Sequence, residues 1–363
     1  MKIVRVDTIV AEIPFQDGGK GQGGTPSTWR TLENVLIRLE DEQGNVGWGE
    51  AFGYFVADAT KALIDRLIAP LLLAQDITDI PAWNLDLQRR LHLFGRYGLT
   101  MFAISGIDIA LWDLAARRKG VPLHRLLGQS CRDQVPAYAS LVRYGDDKIA
   151  PATCEKALAM GFTDLKLHEA TLHDIAACRR AVGDSVPLAT DVNCSWSVQD
   201  TRDWLPALAD LNLAWLEEPI FPPEDFATLA SLRGQGVPIS AGENWCTAVQ
   251  FEQALTRGAV DSIQPSVTKV GGISECLRIA ELAREHDAVV LPHCPYFGPG
   301  LIATLHLAAV QPWVPQVEYL FVEPAGWLYP VESLRQGNQL LIPQGAGLGV
   351  DIDLQVIERF RRS

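Results

Sequence analysis

The chain has 363 residues, 48% of them hydrophobic and 21% charged, an ordinary globular balance that excludes a disordered or membrane-embedded class. A formal net charge of −13 argues against a nucleic-acid or anionic-membrane partner, and no apolar run reads as a bilayer span. Cys131, Cys154, Cys178, Cys194, Cys246, Cys276 and Cys294 are odd in number, scattered and never spaced CxxC, which fits reduced cytoplasmic thiols better than a disulfide framework or a zinc site.

The first residues, MKIVRVDTIVAEIPF, alternate as a strand and lack the basic region and apolar core of a signal peptide. NVLIRLE (34–40) reads as a second strand, and EQGNVGWGE turns into a third, giving an antiparallel meander. Between the first two lies QDGGKGQGGTPST, with five glycines in thirteen residues, a loop that serves either as a solvated linker or as a lid over a site. Residues 58–73 and 80–93 have helical patterns. MFAISGIDIALWDLAARRK (101–119) predicts a strongly apolar helix, stopped by basic residues, Gly120 and Pro122.

From Val135 the texture becomes a regular βα alternation. Candidate strands are 135–141, 164–168, 187–193, 213–219, 238–244, 262–268, 289–294 and 316–320, with helical patterns between them. Eight such units predict an α/β fold of the (β/α)8, TIM-like kind behind an α+β N-terminal capping domain. The expected divisions are 1–130 for the cap, with lid loops near 15–31 and 50–58, then 131–328 for the barrel. The last segment, 329–363, is expected to return to the cap.

In PLATDVN, LAWLEEP and PISAGEN a short apolar run ends in an acid, Asp191, Glu217 and Glu243, each 26 residues from the last. At neighbouring strand ends they would converge on the face where such barrels carry chemistry. A single acid there would more simply cap the next helix. Three together repel unless a cation holds them, and all-oxygen ligands suit a hard ion, Mg²⁺. Lys166 and His168 share one face of the second strand, and Asn193 shares that of Asp191. His293 ends strand seven, and strand eight holds Glu318. A lone histidine is more often structural, and the plainer reading of Lys166 is a salt bridge to Asp191 or Glu217. Around a metal site, however, these groups form an acid–base set for removing a proton next to a carboxylate, with His168 and His293 as natural bases.

ISGIDIALWDLAARRKGVPLHRLLG (104–128), WLEEP, GENW and QPSVTKVGGISE (264–275) together resemble the enolase superfamily, specifically its mandelate racemase-like group, and the resemblance covers essentially the whole chain. It implies Asp191, Glu217 and Glu243 as Mg²⁺ ligands and Lys166 as the contact to the substrate carboxylate. It further implies His168 and His293 as bases for opposite faces of the substrate, and Glu318 as the acid bonding the carboxylate opposite the metal. Two positions depart from the family pattern. Its KxK pair is KxH here, and its strand-six Asp is Ser266, which leaves His293 without an orienting carboxylate. Lys269, of different strand parity from Ser266, reads as structural, with a substitute base as the alternative. Trp29 and Arg30 end the glycine-rich loop, and Phe52, Tyr54 and Phe55 follow GWGE. The family closes and selects at these two loops, and Asn193, Ser266, Lys269 and Phe297 are weaker substrate-binding candidates, whereas Trp245 reads as core.

The resemblance implies a Mg²⁺-dependent enzyme for a small carboxylate substrate, a cytoplasmic homo-oligomer. Dehydration of a sugar acid to a 2-keto-3-deoxy acid is the first reading. Racemisation or epimerisation of a hydroxy, amino or betaine-type acid is the alternative, and a non-catalytic carboxylate-binding barrel is the reading from another class.

Overall fold

A computed structural model describes residues 1–20, 29–129 and 132–362. Residues 21–28, the centre of the predicted lid loop, lie outside the described residues, as do Ser130, Cys131 and Ser363. The N-terminal sheet is antiparallel, built from β1 (Ile3–Gln16), β2 (Thr31–Asp41) and β3 (Val46–Ala51). Asp41 makes the β2–β3 turn, its Oδ1 accepting the N–H groups of Gln43 and Asn45. The helices Ala57–Leu63, Ala69–Leu72, Ile80–Arg90 and Leu99–Lys119 complete this layer.

The helix Leu99–Lys119 lies against β3, and glycine is what lets it. A Cβ at Gly49 would stand 2.0 Å from the Gly106 carbonyl oxygen, so GWGE and ISGID are two halves of one backbone contact. Gly120, at φ 63°, ends the helix in the left-handed conformation. At 21 residues this helix is long and apolar enough to span a bilayer by length and composition, contrary to the sequence reading. Fourteen of those residues are buried, which explains the composition by its place in the protein interior.

Eight parallel strands follow: β4 (Gln134–Ser140), β5 (Leu165–Leu167), β6 (Leu188–Asp191), β7 (Leu216–Glu217), β8 (Ile239–Ala241), β9 (Ser262–Ile263), β10 (Val289–Val290) and β11 (Val317–Leu320). Each pairs with the next from β4 to β10, and β11 closes back onto β4. Their alternation with helices gives the (β/α)8 architecture expected from the sequence. Between β10 and β11 the Cys294 N–H donates to the Glu318 carboxylate at 2.7 Å.

The chain after the barrel adds β12 (Glu323–Pro324) to β1, then a hairpin of β13 (Arg335–Gln336) and β14 (Gln339–Leu341) antiparallel to β4. The helix Leu354–Phe360 and Arg361–Arg362 then lead back to β1. Asp113, buried in the long cap helix, accepts from Trp48 N–H and Leu348 N–H and pairs with Arg117, which ties cap strand, cap helix and returning chain together.

Glu50, next to last in β3, sits on the N-terminus of the barrel helix Pro299–Ala309, accepting the Gly300 N–H at 2.8 Å. Burial pushes its carboxyl up to about 7 against that one hydrogen bond. A folded pKa raised above the ordinary 4.5 means that its stability contribution is full below that value and is lost as pH rises through about 7. Glu50→Gln, uncharged throughout, should therefore flatten urea-unfolding stability between about pH 5 and 8 by roughly 1–3 kcal/mol relative to wild type. Asp108, also pushed up to about 7 by burial, leaves a parallel slope in both proteins.

Candidate active site

Parallel strands deliver their last side chains to one rim, and here that rim is crowded with charge. Lys166 on β5 is fully buried, its Nζ 2.8 Å from Glu217 Oε1, 2.8 Å from Glu318 Oε1 and 3.7 Å from Asp191 Oδ2. Burial alone would lower its pKa, but Glu217 and Glu318 outweigh burial and hold it well above the usual lysine value. Burial likewise favours a neutral Glu318, yet Lys166 and then His293 bring it down to about 2. Glu217 is held by Lys166 and by the Trp215 indole N–H at 2.9 Å.

The candidate ligand oxygens of Asp191, Glu217 and Glu243 lie within 4.8 Å of one another. Asp191 Oδ2 is buried without a hydrogen-bond donor, an arrangement that is costly unless a cation takes the place of one. Burial, then Asp191, Glu318 and Glu243, push the Glu217 carboxyl well above the usual range despite Lys166. With Glu218 directly behind them, five carboxylates face the ammonium groups of Lys166 and Lys269. That donor set fits a hard divalent cation.

The two imidazoles are held in opposite senses. His168 Nδ1 lies on the Leu141 carbonyl oxygen, which can only accept, so in the neutral ring Nδ1 carries the proton and Nε2 presents its lone pair. Asp191 Oδ2 is 3.4 Å from that Nε2. His293 instead places Nε2 2.7 Å from Glu243 Oε2, again an acceptor, so here Nε2 carries the proton. Its Nδ1 is buried without a partner. Ser266, where an Asp would have oriented this ring, is fully buried and engages the Tyr296 hydroxyl instead.

Above the charged floor opens a cavity of about 910 Å³, lined by His168, Asn193, Glu243, His293, Glu318 and Lys269, with Trp29, Phe52, Tyr54 and Phe55 on the cap side. Its aromatic wall is interlocked: Trp29 packs on Tyr54 at 5.0 Å, and Phe52 on Tyr54 at 5.3 Å. The Tyr54 hydroxyl donates to the Pro295 carbonyl, fastening the cap loop to the barrel.

Three expectations need correction. Arg30 does not line this cavity, because its guanidinium turns back to the Lys20 carbonyl on the surface. Phe297 is buried between Tyr319 and Trp327 rather than lining it, and Ser266 lies beneath Tyr296. Lys269 follows β9 on a turn, so strand parity does not govern it. Its ammonium reaches Asn244 Oδ1 at 3.2 Å and lies 5.1 Å from the Phe52 ring centre, within the cavity wall. Trp245, by contrast, is core, packed on Phe226 and Phe251.

Sequence reasoning missed Arg143 and Glu218. Arg143 follows the first barrel strand, donates to the His168 carbonyl at 2.6 Å and to Asn193 Oδ1 at 3.3 Å, and lines the cavity. Its place just past a strand end was the available signal. Glu218, the second acid of WLEEP, accepts from the Asn244 amide at 2.7 Å and has its other oxygen unpartnered. Burial, then Glu243 and Asp191, raise its carboxyl well above the usual range.

A capped (β/α)8 barrel with three carboxylates converging at successive strand ends defines the enolase class of enzyme. Residues 25–128 match the model of the mandelate racemase / muconate lactonizing enzyme N-terminal domain, and residues 150–356 match the enolase C-terminal domain-like model. The chain belongs to the mandelate racemase / muconate lactonizing enzyme family. It is 33% identical to a D-galactarolactone cycloisomerase of Agrobacterium fabrum, covering 90% of this chain and 91% of that one. It is 32% identical to a D-galactonate dehydratase of Ralstonia nicotianae, with 90% and 91% covered. Among solved structures, a racemase from Streptomyces coelicolor with bound magnesium superposes with a TM-score of 0.87 at 27% identity, covering 99% of this chain and 100% of that one.

Lys166→Met keeps the bulk of the side chain and removes its charge. In chelator the variant should lose on the order of 3–5 kcal/mol, because the carboxylates it pairs are left buried and uncompensated. Mg²⁺ should then raise its thermal midpoint more than that of wild type. Thermal melts with and without Mg²⁺ check this, and equal Mg²⁺ responses would contradict the pairing.

Proposed function

We propose that the protein removes the α-proton of a sugar acid and expels the β-oxygen, dehydrating it to a 2-keto-3-deoxy acid. The observation that carries this reading is the opposite tethering of the two imidazoles: His168 offers a lone pair, and His293 offers a proton. Elimination needs one base and one acid, whereas racemisation needs two groups that trade both roles.

Asp191, Glu217 and Glu243 would hold the Mg²⁺. When bound, Mg²⁺ supplies positive charge that draws in the substrate carboxylate and acidifies the neighbouring carbon. Lys166 places an ammonium beside the same carboxylate, where negative charge grows as the α-proton leaves. Its position is fixed from behind by Glu318, whose oxygens accept from Lys166 and from the Cys294 N–H. A carboxylate held this way accepts rather than donates, so Glu318 acts here as the anchor of Lys166.

His168 takes the α-proton on Nε2. The Leu141 carbonyl fixes its tautomer, and Asp191 stabilises the imidazolium that forms. His293, entering as the imidazolium paired with Glu243, gives a proton to the departing β-hydroxyl, which leaves as water, and the ring returns to neutral. The aromatic cap loop excludes water from the ene-diolate; loss of the β-hydroxyl leaves the 2,3-enol, which takes a proton at C3 and becomes the 2-keto acid. Names of relatives support the substrate class: a D-galactonate dehydratase, and an arabinonate dehydratase of Saccharolobus solfataricus at 31% identity. The scattered thiols and the family likeness support a cytoplasmic homo-oligomer acting on a small carboxylate.

Incubation with Mg²⁺ and a panel of aldonates and aldarates, read by carbonyl trapping, should yield a 2-keto acid. His168→Ala should reduce kcat by about 10²–10⁴. Proton exchange at the α-carbon with inversion and no keto acid would overturn dehydration in favour of epimerisation.

A further inference from the structure

Glu12 on β1 and Glu33 on β2 stand directly opposite each other in the antiparallel ladder. Like charges in that position destabilise a strand pair. Asp58, in the first turn of the helix Ala57–Leu63, adds a third carboxylate to the cluster. One residue from the far end of the sequence resolves the repulsion. Arg362 directs a single guanidinium nitrogen to both Glu12 and Glu33, and the other to Asp58 at 2.8 Å. Its backbone is fixed as well: the Arg362 N–H donates to the Val10 carbonyl at 2.8 Å, beside a bridge between Arg361 and Ala11.

Glu33 has a second duty. Its other oxygen accepts the backbone N–H of Phe55, and Phe55 sits at φ 63°, a conformation that bulky residues rarely adopt. The preceding loop residue is pressed to the same place, since a Cβ at Gly53 would stand 2.4 Å from the Glu33 carbonyl oxygen. Phe55 lines the mouth of the catalytic cavity and is 45% exposed, so packing alone does not hold it. The chain of contacts therefore runs from Arg362 through the Glu33 carboxylate to the backbone of the loop that carries Phe52, Tyr54 and Phe55.

We propose that Arg362 is a positioning residue for the substrate-selecting loop, setting the cavity mouth through Glu33 while touching no substrate itself. Without the guanidinium, Glu33 and Glu12 repel, Glu33 releases the Phe55 N–H, and the strained turn relaxes. Substrate fit then suffers, while the floor of the site, built on the barrel strands, is unaffected.

The test compares wild type with Arg362→Ala, Arg362→Lys and Arg361→Ala, the last removing a neighbouring guanidinium that pairs with Glu358 on the surface. In Arg362→Ala, amide hydrogen exchange across residues 52–56 should quicken by about tenfold or more while the barrel strands keep their protection. Arg362→Lys should recover part of that protection, and Arg361→Ala should match wild type. Adding Glu12→Gln to Arg362→Ala, which removes the cross-strand repulsion, should slow exchange again. The kinetic arm rests on the dehydration reading: KM for the sugar acid turned over should rise about fivefold with kcat within about twofold. Unchanged exchange at 52–56 in a folded Arg362→Ala protein would overturn the proposal, whatever reaction the enzyme performs. A fall in kcat with KM unchanged would overturn it equally.

Discussion

The structure depends on one electrostatic problem: how to keep a ring of carboxylates buried at the barrel mouth. Lys166, fully buried between Glu217 and Glu318, supplies part of the answer. An ammonium taken out of water is itself unfavourable, and it is tolerable here only because two carboxylates lie at 2.8 Å. Asp191, Glu243 and Glu218 crowd the same rim, where burial and mutual repulsion push the Glu218 carboxyl up and no further buried ammonium but that of Lys269 faces them among the described residues. A site of this kind stores demand for a divalent ion in the fold itself, and the chemistry follows from where that demand points.

The cap makes the charged floor selective. Glycine lets the long cap helix approach β3 closely enough to present Glu50 to the barrel and Tyr54 to the cavity. The same loop is fastened on the barrel side by the Tyr54–Pro295 bond and on the cap side by Glu33. Precision at the mouth thus comes from elements far apart in sequence, while precision at the floor comes from short strands one βα unit apart.

Much of this was legible in the sequence because a parallel barrel converts period into geometry. Seven of the eight strands fall within the predicted runs, β4 starts one residue early at Gln134, and regular spacing put Asp191, Glu217 and Glu243 on one rim. The observed ladders are shorter than the apolar runs suggest: β7 is only Leu216–Glu217, and Glu243 and His293 lie just beyond β8 and β10. The ladder stops where backbone turns inward to serve the site. Parity rules stop there too, which is why the strand argument for Lys269 does not govern its place in the cavity wall, and position near a strand end does not say that Ser266 and Phe297 turn away from the cavity. Arg30 was misplaced for a related reason, since no periodicity says which way a loop side chain turns. Arg143 and Glu218 escaped notice because each acts through another site residue. Arg362, more than three hundred positions from Glu33, leaves no local signal at all.

The central claim is that Asp191, Glu217 and Glu243 hold the divalent cation on which the reaction depends. Electron paramagnetic resonance of Mn²⁺ titrated into the protein tests it without any substrate. A single tight site per chain, displaced by Mg²⁺ and abolished in Glu217→Gln and Asp191→Asn, is the expected result. Equal Mn²⁺ binding by wild type and both variants, or no binding by wild type, would contradict it.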